Sequence, residues 1–247
     1  DPGFDVWGMD VARFGDWTTP SYTRTKVMEN YSRRFSIPFP NEELPAGRPL
    51  YTSPIHDLLT EANAVWGSAY GLEYALWFQR EGVDPVEDVT FHRSNAFDVV
   101  ATEVQAVRTG VGLIETTGFA KHRFTGPGAR SFLDRIMANR IPKAGRMALT
   151  PMLNEHGMLV GDFTVATMTT SADPSGPSDG PERFIVFGTG AAEGHHERWF
   201  LSHLQTAGEE VAYRPLSHEM AGLSIAGPAA RDLLASLTDQ DVSNDAF

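Results

Sequence analysis

Cysteine is absent from all 247 residues, which excludes disulfides, thiolate catalysis and every zinc site that needs sulfur, and fits a reducing compartment. Long apolar runs are missing as well. None reaches the roughly 20 residues of a membrane span, and Asp1-Pro-Gly-Phe4 has neither the charged nor the apolar region of a signal peptide. Basic residues are scarce: 20 Lys and Arg stand against 32 Asp and Glu, a net −12, with no basic stretch longer than Arg33-Arg34. Neither nucleic acid nor an anionic membrane surface is therefore an expected partner. A Gly-x-Ser-x-Gly elbow and a Walker loop are lacking, so the usual nucleophiles have no motif. What remains is a chain, 41% hydrophobic, long enough to bury a sizeable core as one large domain or two modest ones.

Residues 1–20 read as the tail of another domain, 21–92 as a connector domain and 93–247 as a further domain. A helix is expected over Tyr22 to Arg33. The four prolines between Ser36 and Pro49 then preclude a helix and favour an extended connection that its neighbours must pin. Ser53 and Pro54 supply an N-cap and an N1 proline for a short helix carrying Ile55, Leu58, Leu59 and Ala62. Trp66, Tyr70, Tyr74, Trp77 and Phe78 read as one or two strands in the core of a small module. Ser94 or Asn95 can cap a helix presenting Phe97, Val100, Val104 and Val107 on one face.

Strands and helices alternate from there. Gly112 to Phe119 and Lys121 to Phe124 are strand-like, Pro127 to Ala138 is a helix, and Met147 to Leu153 pairs with Met158 to Met168 across a hairpin at Asn154 to Gly157. Ser171 to Glu182 reads as a surface loop, Phe184 to Phe187 as a strand, and Ala191 to Gln205 as a helix with Trp199, Phe200 and Leu204 inward. An internal echo runs through this part: His122 to Ile136 aligns without a gap with Leu223 to Leu237, sharing strand, Gly-Pro, Ala-Arg and helix. In each copy the proline is expected at N1, with Phe132-Leu133 or Leu233-Leu234 facing a core. The second copy stops at Phe247 without the residues that complete the first, which predicts a C-terminal cut, as Asp1 in place of Met predicts a processed start.

Asp162 interrupts the weakly polar run Met158-Leu-Val-Gly-Asp162-Phe-Thr-Val-Ala-Thr-Met168. At a period of two, Met158, Val160, Asp162, Thr164, Ala166 and Met168 share one face, and Leu159, Phe163 and Val165 the other. Both faces are mostly apolar, so burial on both sides is expected, and an ionised carboxylate there needs donors or a ligand. An edge position or a turn-capping aspartate is the competing reading. Phe184-Ile-Val-Phe-Gly188-Thr-Gly190-Ala-Ala-Glu-Gly194 has the spacing of a dinucleotide fingerprint, with Glu209 or Glu210 placed for a ribose hydroxyl. Hairpin-linked strands and Glu193 at the helix entrance instead favour a tight strand-to-helix turn. His195, His196 and His203 lack an i, i+4 pair, so a solvated helix face is expected and no metal site.

Five motifs in order then carry a family resemblance: Glu103-Val-Gln-Ala-Val-Arg108-Thr-Gly-Val-Gly-Leu113, Phe124-Thr-Gly-Pro-Gly-Ala129, Met152-Leu-Asn-Glu-His-Gly157, Gly161-Asp162-Phe-Thr-Val165 and the Phe184 strand. Together they resemble the first half of the glycine-cleavage T-protein (aminomethyltransferase) fold. Tyr31 to Leu50 and Thr52-Ser-Pro-Ile55 resemble the connector of dimethylglycine and sarcosine dehydrogenases or oxidases, and Gly8 to Gly15 the last element of their FAD domain. The resemblance implies an α+β protein with antiparallel sheets and flanking helices, a T-protein-like folate-binding domain behind a small connector domain. It implies a two-centre enzyme: FAD, in a part of the protein not in this chain, oxidises an N-methyl amine to an iminium, and tetrahydrofolate captures the one-carbon unit. The implied partners are the small-molecule amine and folate. The implied place is the cytoplasm, or the mitochondrial matrix in a eukaryote.

The resemblance makes Asp162 catalytic, and gives the pterin pocket Phe119, Leu149, Asp162, Thr164, Val186 and Gly188. Leu149 stands where T-proteins usually have tyrosine and Gly188 where they often have asparagine. Two further readings stay open, a non-catalytic tetrahydrofolate-binding scaffold and a stand-alone folate-dependent aminomethyltransferase or demethylase.

Overall fold

The computed structural model describes residues 6–168, 182–208 and 210–246; the loop expected from Ser171 lies outside them up to Glu182, as does Glu209. In chain order the elements are α1 (Pro20–Ser32), α2 (His56–Glu61), β1 (Ala64–Ala69), β2 (Leu72–Phe78), α3 (Ala96–Thr109), β3 (Gly112–Glu115) and β4 (Ala120–Thr125). There follow α4 (Ala129–Ile136), β5 (Met147–Leu153), β6 (Leu159–Met168), β7 (Arg183–Gly188), α5 (Glu193–Ala207), β8 (Ala212–Pro215), β9 (Leu223–Ala226) and α6 (Ala230–Leu237). They fall into two units, Asp16–Thr117 with Ala221–Phe247, and Asp1–Gly15 with Gly118–Met220. The fold is α+β with antiparallel sheets.

In the unit of Asp16–Thr117 and Ala221–Phe247, α1 opens on Thr19, whose hydroxyl accepts from the Tyr22 N–H at 3.3 Å, and Pro20 fits the first turn. The proline-rich stretch behind it is pinned by side chains. Lys26 Nζ donates to the Leu44 carbonyl at 2.7 Å, the Ala46 N–H to Glu29 Oε1 at 2.9 Å, and Arg48 Nη2 to the buried Glu73 Oε2 at 2.6 Å. Helix α2 starts later than Pro54. Ser53 and Pro54 form a turn in which the His56 N–H donates to the Ser53 carbonyl, and the Ser53 hydroxyl caps nothing. β1 and β2 form a hairpin whose central residues, Tyr70 and Gly71, have φ of 51° and 82°, the geometry that matches strand twist.

Helix α3 turns a different face inward from the one expected. Val99 is buried against Val65 and Trp77, with Ala96 and Val100 beside it, and Glu103 accepts from the Phe78 N–H at 2.8 Å. Phe97 and Val104 are about half exposed, at 49% and 50%. A polar residue, Glu103, holds an inward position because it satisfies a strand N–H, and apolar periodicity does not register such a contact. Val99→Ala is expected to lower the unfolding free energy by about 2 kcal/mol, and Phe97→Ala by less than about 0.5 kcal/mol; urea titrations of the two variants check this. β3 is shorter than the strand-like run that suggested it, and pairs antiparallel with β9 from Gly112↔Ala226 to Glu115↔Leu223.

The unit of Asp1–Gly15 and Gly118–Met220 is built on a five-stranded antiparallel sheet in the order β5-β6-β7-β4-β8. Phe132 and Leu133 of α4 and Phe200 of α5 pack on one of its faces against Phe124, Met152, Phe163, Val165, Phe184 and Val186, all at most 1% exposed. β8 was not legible in the sequence. It is four residues long, polar at Arg214, and ends on Pro215, which a sheet tolerates at an edge.

The internal echo is structural in detail. Gly126 and Gly227 end their strands at φ 114° and 119°, and in each copy the N–H three residues on (Ala129, Ala230) donates back to the glycine carbonyl. Pro127 and Pro228 therefore sit at the second position of a turn that precedes the helix, not at N1, a place equally suited to a fixed φ. Arg130 then reaches the carbonyls of Ile141 and Pro142, and Arg231 the carbonyl of Val242 and the side chain of Asn244. Each copy closes its own following loop in the same way. Phe132-Leu133 is buried, whereas Leu233-Leu234 is half-buried.

Candidate functional site

The face of the five-stranded sheet away from the core carries Leu149, Asp162 and Thr164 of the residues singled out in the sequence. Direct pairings Leu149↔Thr164, Thr164↔Phe187 and Lys121↔Phe187 put these four side chains in one row. Asp162 lies one row further on, opposite Pro151, where β6 runs past the end of β7: the pairing of β6 with β7 begins only at Thr164. Phe119, just before β4, is 52% exposed and Leu149 is 65% exposed. Lys121, which periodicity did not single out, is 2% exposed and donates from Nζ to the Phe119 carbonyl at 2.8 Å.

Asp162 is exposed, not buried on both sides. Its side chain reaches solvent, so its charge carries no large desolvation cost. Among the described residues no hydrogen bond or ion pair holds its carboxylate. The strand carries it on the face of Thr164 and Ala166, as alternation predicts; just before it Met152 pairs with Gly161 and Leu153 with Leu159, which leaves Val160 as the extra residue of a bulge. Val160 thereby packs against the core cluster and not on the face of Asp162. The turn that follows β5 is held by Asn154, whose Oδ1 accepts from the N–H groups of His156 and Met158, so turn capping is not the role of Asp162.

Val186 and Gly188 do not face this row. Val186 is fully buried in the core, and a Cβ on Gly188 would fall 2.7 Å from the Phe163 ring. Strand alternation turns Phe187, between them, and Ile185 toward Thr164 and Ala166. The three-glycine turn has a packing explanation at its first two positions, since a Cβ on Gly190 would lie 2.1 Å from the Gly118 carbonyl oxygen. β7 is antiparallel to both of its neighbours, which is not the parallel unit of a dinucleotide fold. Glu193, at the entrance of α5, accepts from the Ser217 hydroxyl.

His196 is 1% exposed, contrary to the solvated face expected for it. His196, Phe200 and Leu204 recur at i, i+4 and i+8 on the buried stripe of α5, a pattern visible in the sequence once histidine is admitted as a core residue. Its Nε2 lies 3.3 Å from the Val160 carbonyl, and its ring meets Phe163 edge-on at 4.7 Å. His122, fully buried on β4, has Nδ1 2.9 Å from the Tyr213 hydroxyl, and its ring is 6.4 Å from that of His196. Burial pushes His122 down to about 3 and His196 down to about 4, so both are neutral at pH 7. Burial likewise raises the Tyr213 phenol.

A family model described as the GCVT N-terminal domain matches residues 55–247, and one described as the FAD dependent oxidoreductase central domain matches residues 1–53. The first spans well over half of the chain, which belongs to that family. Among curated relatives, dimethylglycine dehydrogenase, mitochondrial, of Rattus norvegicus is 32% identical over 248 residues, covering 100% of this chain and 28% of that protein. Sarcosine dehydrogenase, mitochondrial, of Homo sapiens is 28% identical over 276 residues, covering 100% of this chain and 30% of that protein. The chain thus spans less than a third of the length of these relatives. The crystal structure of glycine cleavage system aminomethyltransferase T from Bartonella henselae shares the fold with a TM-score of 0.57 at 19% identity, over 75% of this chain and 43% of that one.

Proposed function

We propose that this chain is the folate-binding portion of an FAD-dependent N-methylamine dehydrogenase or oxidase, with Asp162 as the acid-base and orienting group of the one-carbon transfer. The observation that carries the reading is the exposed Asp162 carboxylate, held by no described residue, beside the row of Leu149, Thr164 and Phe187, with Lys121 at its far end. A flat heteroaromatic ring bearing N–H donors fits such a surface, apolar to stack on and with one acceptor to orient it. Tetrahydrofolate, when bound, supplies the amine nucleophile for the one-carbon unit of an iminium, and FAD, outside this chain, the oxidation that makes the iminium. Asp162 would accept a hydrogen bond from the amine N–H, stabilise the cation that develops and take up the proton. Leu149, Thr164 and Phe119 would exclude water from the ring. Val186 and Gly188 would contribute main chain only, since their side-chain positions face the core. The mitochondrial names of the two dehydrogenases support a mitochondrial location if the source is a eukaryote.

The test is a calorimetric titration of folinate into the full-length protein and its Asp162→Ala variant, with assay of methylenetetrahydrofolate formation. Asp162→Ala is expected to weaken binding about tenfold and to slow one-carbon transfer by about 10²–10⁴-fold, with thermal stability unchanged because the residue is exposed. Binding retained with transfer absent in both proteins would favour a non-catalytic folate scaffold. Equal binding and transfer in both would remove Asp162 from the site.

A further inference from the structure

The sheet face that carries Asp162 has a second row, beside that of Leu149, Thr164, Phe187 and Lys121. Met147↔Ala166, Ala166↔Ile185, Ile185↔Arg123 and Arg123↔Arg214 are direct pairings, so these five side chains cross all five strands next to one another. The row ends in two arginines directly opposite each other on β4 and β8. Like charges in that position repel and weaken a sheet. Two more cations flank them: Lys121 is two residues back along β4, and Arg183 of β7 lies opposite Thr125, two residues on. Such a gathering needs a cause in a chain where 20 Lys and Arg stand against 32 Asp and Glu.

One arginine of the pair is answered by a neighbour and the other is not. Arg214 is exposed and reaches the Glu219 carboxylate. Arg123 is half-buried, and among the described residues no hydrogen bond or ion pair holds its guanidinium. A cation partly withdrawn from water without an acceptor carries a desolvation cost that a bound anion offsets. The guanidinium fork is suited to a carboxylate, which it takes through two parallel N–H···O bonds.

The face is therefore graded along one diagonal: the Asp162 carboxylate, then Thr164 and Phe187, then Ile185, then the arginine pair. Asp162 and Ala166 are four residues apart on β6, and β4 lies two strands from β6, which puts the Cα atoms of Asp162 and Arg123 about 16 Å apart. Tetrahydrofolate is graded in the same order, with N–H donors on its pterin, an aromatic p-aminobenzoyl ring and a glutamate bearing two carboxylates. Its extended arm, met by an arginine side chain, covers that distance. We infer that Arg123, with Arg214 beside it, takes the glutamate carboxylates of the folate, so that one sheet face reads both ends of the ligand. The inference rests on the reading of this chain as folate-binding, and adds to it the subsite that separates folates from pterins without a tail.

The experiment is calorimetric titration of the full-length protein, as wild type, Arg123→Gln and Asp162→Ala, with three probes: folinate, the tail-free 6-methyltetrahydropterin, and the tail alone as p-aminobenzoylglutamate. Arg123→Gln is expected to weaken folinate about tenfold, to weaken p-aminobenzoylglutamate likewise, and to leave 6-methyltetrahydropterin unchanged. Its melting temperature is expected to hold or rise, because the substitution removes a like-charge pair. Unchanged folinate affinity in Arg123→Gln would overturn the inference and leave the pair to some other carboxylate. So would an equal loss of all three probes with a lowered melting temperature, which would make Arg123 a structural residue. Asp162→Ala separates this inference from the role given to Asp162, since it is expected to weaken folinate and 6-methyltetrahydropterin and to spare p-aminobenzoylglutamate. If Asp162→Ala changes nothing while Arg123→Gln acts on the two tailed probes alone, the tail subsite stands and the role of Asp162 falls. Wild-type protein that binds no folinate overturns both.

Discussion

Acidification from pH 7 to pH 4.5 is expected to lower the unfolding free energy by about 5 kcal/mol through His122 and His196 alone. Both imidazoles are held neutral by burial, at about 3 and about 4 against an ordinary 6.5. Below pH 6.5 the unfolded chain therefore takes up two protons that the native chain refuses, and stability falls as pH falls. The contribution is fully present above about pH 6.5 and is lost progressively as the pH falls toward the two native values. A domain whose whole stability is about 5–15 kcal/mol would lose a third or more of it in this window. Urea unfolding at half-unit pH intervals measures the slope, and His122→Leu is expected to remove about half of it. A slope unchanged in that variant would place the acid sensitivity elsewhere, with carboxylates such as Glu182, whose ion pair with Arg130 depresses its basicity, as the next candidates.

Gly190→Ala is expected to destabilise the protein by about 3 kcal/mol, the upper end for an overpacked site. Its added carbon would meet the Gly118 carbonyl oxygen at 2.1 Å, and the obstacle is main chain, which cannot rotate aside as a side chain does. Gly194→Ala in the same turn is expected to be nearly neutral, because its added carbon finds ordinary contacts at 3.7 Å. Thermal melts of the pair separate the packing role of the glycines from a phosphate-binding role, in which Gly194 would matter as much as Gly190.

Much of the architecture was legible because it depends on short-range patterns. The β5–β6 hairpin, the buried Phe200 of α5 and the gapless echo at Gly126 and Gly227 each follow from spacing within a few residues. Asp162 was legible as an anomaly, but its setting was not. Strict alternation put Asp162 on the face of Thr164 correctly but placed Val160 there as well, whereas one unpaired residue turns Val160 to the core, and a bulge has no compositional signature beyond the neighbouring Gly161. His196 and Glu103 escaped for a related reason. Each is a polar residue at an inward helix position because it satisfies a strand main-chain group, and hydrophobic periodicity counts such residues as solvent-facing. Ser53 shows the opposite error, a capping residue type whose hydroxyl is not used.

The division of the chain into interleaved halves has a consequence for its biosynthesis. β3 leaves the ribosome long before β9, the strand it pairs with, and the whole β4–β8 sheet is made in between. At about 5–20 residues per second, the edge of β3 waits on the order of ten seconds for its partner, with Leu113 and Ile114, each more than half exposed even when folded, uncovered meanwhile. The sheet can close inside that interval while the flanking unit remains an open chain. No single cut releases either half intact, so a chain cut between Met220 and Leu223 would present a finished sheet tethered to a sticky, unpaired strand, the kind of species that chaperones hold.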